Sequence, residues 1–225
     1  MVDIKWQEVV EGSGVFLHSY EYEKFGPANS VLAELRPGAY ALLSPPPFPT
    51  SQSKAEVAAK GELEALVITN IAHTAGFADW LTEFPEAKLF APATAIPLLS
   101  RSHPHHELLP LENMTHSEKM IFVDGDGARS GATLLRSDQG KRPVVFVDEL
   151  VINLTRPVRP LFMRLVFKLT GTGLGPTINK AYSLLLSDKK GAKDQLLALL
   201  KGNPVCIPAH GDTMEARVVR DLLQR

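Results

Sequence analysis

The stretch LEALVITNIAHTAGFADWLTEF, residues 63–84, joins a short apolar run to an apolar pattern of helical spacing. Leu63–Thr69 has the length and apolar content of a buried strand. Thr74–Phe84 repeats large apolar side chains at the spacing of one helix face, and Lys88–Ala91 is a further short apolar segment. This stretch therefore predicts a strand–helix–strand unit.

Three short apolar segments precede this unit, and turn-forming glycines and prolines separate them. Gly14–Tyr20, Asn29–Leu35 and Tyr40–Ser44 predict three paired antiparallel strands. The four prolines between residues 45 and 49 force an extended crossing of the chain. Ser53–Ala59 then predicts a helix that begins with a serine cap.

The second half of the chain repeats this order, with strands before helices. The predicted strands are Lys119–Asp124, Ala132–Ser137, Pro143–Val147 and Pro204–Pro208. The predicted helices are Val158–Thr170, Asn179–Leu186, Lys190–Lys201 and Thr213–Gln224. The pattern predicts an α/β fold in which two mixed β-sheets pack face to face and helices cover the outer faces, an αββα sandwich. We expect one domain over residues 1–225, because no stretch of biased composition divides the chain.

The composition argues against several classes of protein. The 225 residues are 44% hydrophobic and carry a formal charge of −1, which provides no broad positive surface for nucleic acid. The single cysteine, Cys206, leaves no internal disulfide and no cysteine-based zinc site. No secretory signal and no apolar run long enough to span a bilayer are visible, so we expect a cytoplasmic protein without a membrane span.

Polar side chains cluster at the ends of three predicted strands, where a sheet fixes them and a loop leaves them open. These residues are Asn70 and His73, Asp148 and Glu149, and His210 and Asp212. Two histidines and a carboxylate from three strand ends would leave an open position for water, as a catalytic metal requires. The residues therefore predict a metal site that consists of His73, His210 and a carboxylate of the Asp148–Glu149 pair. A strand-end histidine is also common as a purely structural residue.

The order of elements and the closing sequence IPAHGD resemble the metallo-β-lactamase superfamily, whose fold also serves thioesterases, lactonases, ribonucleases and oxidoreductases. NSVLAELRPGAYALLSPPP is similar to the opening strand pair of that family, and residues 63–92 are similar to its strand–loop–helix. VVFVDEL is similar to the strand that ends in a bridging Asp, and IPAHGD to the last ligand loop. The resemblance implies a metallohydrolase fold.

The metal-binding pattern of that family is depleted in this sequence. Its HxHxDH loop is replaced by the residues from Asn70 to Ala75, in which only His73 is a histidine. Ala128 stands where the middle motif has its histidine, and Ser44 stands where the early strand has its Asp. Only Asp148 and His210 keep ligand positions, and they are the predicted catalytic residues. The residues cannot supply a two-metal centre.

Two functions remain open at this stage. The first is a mononuclear hydrolase of a small ester or thioester, in which His73, Asp148 and His210 hold one Zn or Fe ion. In this hypothesis Asn70, Glu149 and Asp212 orient the ligands. The second is a binding or scaffold protein that kept the fold without a metal. The residue types alone are equally consistent with a metal-bound protein and with a metal-free one.

The segment TRPVRPLFMRLVFKLTG carries an apolar stripe with four cations beside it. The stripe consists of Leu161, Phe162, Leu165, Val166 and Leu169, and the cations are Arg156, Arg159, Arg164 and Lys168. A helix that covers the core, with its basic side chains reaching solvent, explains this pattern. A substrate lid, a homodimer contact through residues 158–170 and a membrane-surface helix are the alternatives. Thr170–Thr177 predicts a flexible glycine-rich hinge after it.

Overall fold

A computed structural model describes residues 6–22, 25–125, 130–186 and 188–224. The larger of its two main sheets has seven strands in sequential order. They are β1 (Gln7–Glu8), β2 (Val15–Tyr22), β3 (Gly26–Arg36), β4 (Ala39–Leu43), β5 (Glu62–Val67), β6 (Lys88–Ala91) and β7 (Leu109–Pro110). Pairing is antiparallel from β1 to β4 and parallel from β4 to β7, so this sheet is mixed.

The second main sheet has five strands in the order β14-β13-β10-β9-β8. They are β8 (Met120–Asp124), β9 (Thr133–Ser137), β10 (Val144–Asp148), β13 (Val205–Pro208) and β14 (Met214–Glu215). Only β10 and β13 pair in parallel, so this sheet is also mixed. A separate two-stranded sheet joins β11 (Val151–Leu154) to β12 (Gly175–Ile178).

The helices lie between these strands in the chain. They are α1 (Ser51–Lys60), α2 (Phe77–Glu83), α3 (Ile96–Ser102), α4 (Leu161–Thr170), α5 (Lys180–Ser183), α6 (Lys189–Leu199) and α7 (Ala216–Gln224), with a short 3-10 turn at Leu111–Asn113. Helix α1 begins earlier than predicted because the side chain of Thr50, not a serine, accepts from the backbone N–H of Ser53. Among the described residues, no helix has the length and apolar content of a bilayer crossing.

Three buried clusters define the layers. The central cluster joins side chains of both main sheets, including Val31, Val67, Phe146 and Ile207. One outer cluster packs α1, α2 and α3 on the seven-stranded sheet, and the other packs α6 and α7 on the five-stranded sheet. Hydrophobic burial on both faces of each sheet accounts for this layering. The predicted αββα sandwich is confirmed.

The glycine-rich segment after α4 differs from its prediction. It does not form a hinge throughout, because Gly175–Ile178 pairs with β11 in the small sheet. The altered middle motif at Gly127, Ala128 and Arg129 lies outside the described residues.

A close backbone crossing fixes the loop that follows β13. Gly211 has φ +89° and pairs as an isolated bridge with Asn153 of β11. A Cβ atom at this position would lie well inside van der Waals contact with the carbonyl oxygen of Asn153. Only glycine allows both this φ and this approach. The crossing therefore sets the position of the neighbouring His210.

We expect Gly211→Ala to lower the free energy of unfolding by more than about 2 kcal/mol, because the new methyl group must displace the β11 backbone. Gly38→Ala is the matched control. Gly38 also has a positive φ, but no atom lies within 4 Å of the position that its Cβ would take, so the cost there is backbone strain of about 1 kcal/mol. Urea unfolding of both variants measures the difference, and equal losses would contradict this account of the crossing.

Candidate metal centre

Three side chains from three separate loops meet at one rim of the sandwich. His73 lies between β5 and α2, Glu149 directly follows β10, and His210 follows β13. The Nε2 atoms of His73 and His210 each lie 2.9 Å from Oε1 of Glu149. One donor atom from each residue falls within 4.8 Å of the others. Two histidines and a carboxylate therefore converge at this rim, as the sequence led us to expect, but the carboxylate is Glu149.

Neighbouring groups hold two of these side chains in place. The Nδ2 atom of Asn179 donates to Oε2 of Glu149 at 2.8 Å. The Oδ1 atom of Asn179 accepts from the backbone N–H of Tyr182 at the start of α5, which fixes the amide orientation. The Nδ1 atom of His210 lies 2.8 Å from the carbonyl oxygen of Pro27 on β3. Such outer contacts are typical of groups that orient metal ligands.

The contact with Pro27 determines the protonation of His210. A carbonyl oxygen only accepts, so Nδ1 of His210 must carry the hydrogen, and a neutral ring then has a bare lone pair on Nε2. That lone pair would face the Glu149 carboxylate, which is also only an acceptor. Either a second proton or a cation must therefore lie between Nε2 and Oε1.

The electrostatics of the metal-free site favour the proton. Burial opposes the charged ring, but the negative charge of Glu149 and its hydrogen bond raise the pKa of His210 to about 9. Burial likewise opposes the charge on Glu149, yet the His210 cation and the hydrogen bonds from both histidines hold its pKa well below the usual range. Without a metal the site is an ion pair inside the protein.

The same donor set fits a metal ion. Two imidazole nitrogens and one carboxylate oxygen are ligands that Zn²⁺ and Fe²⁺ both accept. The Pro27 contact leaves Nε2 of His210 as the metal-binding nitrogen, and Asn179 leaves Oε1 of Glu149 free for the ion. The residue types do not choose between the two metals.

The structure places Asp148 outside this group, although the sequence predicted it as a ligand. Asp148 is fully buried, and its Oδ2 atom accepts from the backbone N–H of Thr133 at 3.0 Å. Its Oδ1 atom accepts from Nδ2 of Asn70 at 2.9 Å and from Oγ1 of Thr69 at 3.3 Å. Burial and the nearby charge of Glu149 raise the pKa of Asp148 to about 7, while His73 and the hydrogen bonds from Thr133 and Asn70 oppose the shift. Asn70 therefore orients Asp148 rather than a histidine.

A local irregularity separates the two adjacent carboxylates. The register of β10 against β13 shifts between Phe146 and Asp148, and Asp148 itself has φ +48°. The chain therefore turns at the end of β10, with Asp148 directed into the protein and Glu149 toward the histidines. Regular strand alternation does not predict this turn.

The remaining predicted residue, Asp212, has a different environment. Its side chain is exposed and lines an outer cleft, and its backbone exchanges hydrogen bonds of 3.0 Å with Asn153. Those bonds hold the loop after β13 on β11. Asp212 thus stabilises the rim through the hydrogen bonds of its backbone.

A small pocket opens beside the three residues. Its lining combines the triad residues with aromatic and small side chains: Tyr20, Tyr22, Phe25, Ala28, Ser44, Pro45, Ala72, His73, Ala75, Glu149 and His210. Tyr20, Tyr22, Ala72 and Ala75 also line the outer cleft, so pocket and cleft are continuous. The walls are mainly apolar, and the charged groups lie together at one side.

Comparison with known proteins identifies the fold. No family model matches the chain, and no curated protein matches it by sequence. The metallo-β-lactamase DIM-1 is 15% identical with a TM-score of 0.64, and the match covers 99% of this chain and 97% of that protein. A metallo-β-lactamase from Pontibacter korlensis is 14% identical with a TM-score of 0.63, and the match covers 99% of each chain. The metallo-β-lactamase FIM-1 from Pseudomonas aeruginosa, in its mono-zinc form, is 16% identical with a TM-score of 0.60, covering 99% of this chain and 94% of that one.

The chain therefore has the metallo-β-lactamase fold, as the sequence resemblance implied. Its low identity to these structures fits the divergent ligand pattern in the sequence.

The protonation of His210 predicts how stability depends on pH in chelator-treated protein. The pKa of His210 is about 9 in the folded protein, above its ordinary value of 6.5. The folded state thus holds an extra proton between these values, and this stabilisation is complete below pH 6.5 and lost as pH rises through 9. We expect a loss of the order of 2 kcal/mol, or about 4–8 °C in Tm, between about pH 7 and 9.5.

Thermal unfolding followed by circular dichroism checks this expectation. His210→Gln is the control, because it lacks the titrating ring and should show the smaller decrease in Tm over the same range. Parallel curves for the two proteins would contradict the assigned ion pair.

Proposed function

We propose that the protein is a mononuclear metal-dependent hydrolase in which His73, Glu149 and His210 hold one ion. The observation that carries this proposal is the approach of His210 Nε2 to the Glu149 carboxylate, with the other ring nitrogen committed to Pro27. A proton or a metal ion must lie between these two acceptors, and in the proposed holoprotein a divalent ion replaces the proton of the metal-free site. The metal can be Zn²⁺ or Fe²⁺.

Each part of the site has a role in this chemistry. The bound ion would lower the pKa of water toward neutrality and polarise a substrate carbonyl. Asn179 and the Pro27 carbonyl hold Glu149 and His210 in their ligating orientations. The aromatic wall formed by Tyr20, Tyr22 and Phe25 would bind the apolar part of a substrate and exclude bulk water.

Asp148 has a role distinct from that of the ligands. Ser44 lines the pocket, and its Oγ atom lies 2.8 Å from Oγ1 of Thr69. Thr69 Oγ1 in turn donates to Oδ1 of Asp148 at 3.3 Å. Two hydroxyl groups therefore connect the pocket to a buried carboxyl group, which is a route for a proton between substrate and Asp148. In this assignment Asp148 contributes to catalysis without contacting the metal.

The substrate class follows from the size and walls of the pocket. A small opening with apolar walls and charge at one side suits a small ester or thioester, whose carbonyl can face the triad while its acyl group contacts the aromatic wall. The depleted ligand pattern argues for one metal rather than two, because both oxygens of Asp148 are already satisfied by protein donors.

We expect chelator-treated protein to bind about one equivalent of Zn²⁺ or Fe²⁺ in a calorimetric titration under anaerobic conditions. Glu149→Gln and His73→Gln should each weaken binding by at least about 100-fold, because the first replaces an anionic carboxylate with a neutral amide and the second removes an imidazole nitrogen. Asp212→Asn is the matched control, since that side chain is exposed and should leave the affinity unchanged.

Two readouts then separate the outcomes. Hydrolysis of a panel of small esters and thioesters by the metal-loaded protein, lost in Glu149→Gln, supports a hydrolase. A stoichiometry far below one for both metals would overturn the metal centre, and with it the hydrolase.

We expect Asn179→Ser to weaken metal binding by about 10–100-fold, because Glu149 loses the donor that orients its carboxylate. Serine can still accept from the backbone N–H at the start of α5, so the helix cap is retained. The Tm of the chelator-treated variant reports any general loss of stability. An unchanged metal affinity with a lowered Tm would show that Asn179 acts only on the fold.

A second function, non-catalytic binding, is favoured by a separate observation. Glu149 already has three protein partners without any ion, since His73, His210 and Asn179 all contact it. The rim is thus complete as a structural ion pair, and the pocket could bind a ligand without chemistry. A metal stoichiometry far below one, together with stable folding, is the result that would favour this alternative.

A further inference from the structure

Helix α4 has two apolar faces, and only one of them is packed. Met163 and Phe167 pack against a small cluster on β11 and the following loop. The opposite face consists of side chains that remain mostly in solvent: Leu161 at 79%, Phe162 at 71%, Leu165 at 53% and Leu169 at 76% exposure. At 100° per residue these four lie within one arc of the helix. The stripe that was expected to cover the core therefore faces outward.

The exposed apolar surface extends beyond α4. Helix α5 lies next to α4. Leu174, which precedes α5 in the chain, and Leu184 and Leu185, which follow it, have exposed side chains. In the described part of the chain, seven of the eleven large hydrophobic side chains that are exposed fall between residues 161 and 185. A concentration of this kind marks an interaction surface. We call the exposed side chains of Leu161, Phe162, Leu165, Leu169, Leu174, Leu184 and Leu185 the apolar surface.

The chain segment that carries the apolar surface has only positive charges. Residues 150–187 contain five cations and no acidic residue, although the whole chain has a formal charge of −1. The cations are Arg156, Arg159, Arg164, Lys168 and Lys180. Arg156 and Arg159 pair with Glu21, and Nε of Arg164 donates to the carbonyl oxygen of Val158. The charges of Lys168 and Lys180 remain exposed.

The positions of these lysines relate them to the exposed helix face. Lys168 lies about 20° around the helix from Leu161, at the edge of the apolar arc. The Nζ atom of Lys180 lies beside Gly171, where α4 ends. Lys168 therefore borders the apolar arc on one side, and Lys180 lies at its C-terminal end.

The exposed apolar arc and the lysines beside it together indicate which kind of partner covers α4. A two-fold contact between copies of the chain would bring Lys168 and Lys180 of both copies to one interface, and residues 150–187 contain no acidic side chain to pair with them. An anionic lipid surface complements both features, since acyl chains accept the leucines and headgroups pair with the lysines. We propose that the apolar surface docks onto the anionic face of a lipid bilayer, with α4 lying in the plane of the headgroups.

The test is co-sedimentation of the full chain with vesicles. Phosphatidylcholine vesicles containing phosphatidylserine should bind the protein at least about tenfold more tightly than pure phosphatidylcholine vesicles, and high salt should reduce the difference. Leu165→Ser with Leu169→Ser should reduce binding to the anionic vesicles about tenfold or more. Lys168→Glu with Lys180→Glu should abolish the preference for anionic lipid.

Matched variants elsewhere keep the test specific. Leu98→Ser with Ile121→Ser alters two other exposed hydrophobic residues, and Lys88→Glu with Lys119→Glu makes the same charge change on another part of the chain. Both controls should bind as the wild type does. Circular dichroism confirms that each variant is folded.

Three results would overturn the proposal. They are absence of binding to anionic vesicles, equal binding to neutral and anionic vesicles, and equal losses in the test and control variants. Sedimentation of the vesicle-free wild type as a dimer that Leu165→Ser with Leu169→Ser dissociates, without lipid binding, would assign the surface to a second copy. None of these outcomes depends on metal binding or hydrolysis.

Discussion

The burial of the Glu149 carboxylate is the constraint on which the rim of this protein depends. An ionised carboxylate without partners is costly to remove from water. Its partners come from distant parts of the chain: His73 follows β5, His210 follows β13, and Asn179 precedes α5. Satisfying one charge therefore fixes three loops relative to the end of β10. Two of those loops, which carry His73 and His210, also form part of the pocket wall.

The adjacent carboxyl group shows how strongly environment separates two similar side chains. Asp148 is held by neutral donors from Thr133, Asn70 and Thr69, and burial raises its pKa to about 7. Glu149 faces imidazole rings, and its pKa is held below the usual range despite burial. Two adjacent residues thus differ in their chemistry: Glu149 is a charged carboxylate that suits a cation, and Asp148 has a pKa near neutral pH, which suits proton transfer. This division underlies the two roles proposed for these residues, Glu149 as a metal ligand and Asp148 as a proton carrier.

The sequence predicted the fold better than the site, and the reason is physical. Strands such as Lys88–Ala91 and the antiparallel segments before them follow from local apolar runs and turns, which are read from neighbouring residues. The choice between Asp148 and Glu149 depends on a register shift at the end of β10. That shift arises from the pairing with β13, which lies much later in the chain. A long-range contact of this kind leaves no local pattern.

Helix α4 presents the same difficulty in another form. Its sequence is apolar on two sides, so periodicity identifies an amphipathic helix but does not say which side is packed. The side with Leu161, Leu165 and Leu169 has the larger and more regular stripe, yet the core contact is made by Met163 and Phe167. Met163 and Phe167 pack there against Ile152, Leu154 and Val158. In the sequence, Val158 is only an isolated apolar residue between two prolines. A second apolar side that remains in solvent beside exposed lysines then needs a reason outside the fold, and a charged lipid surface supplies one.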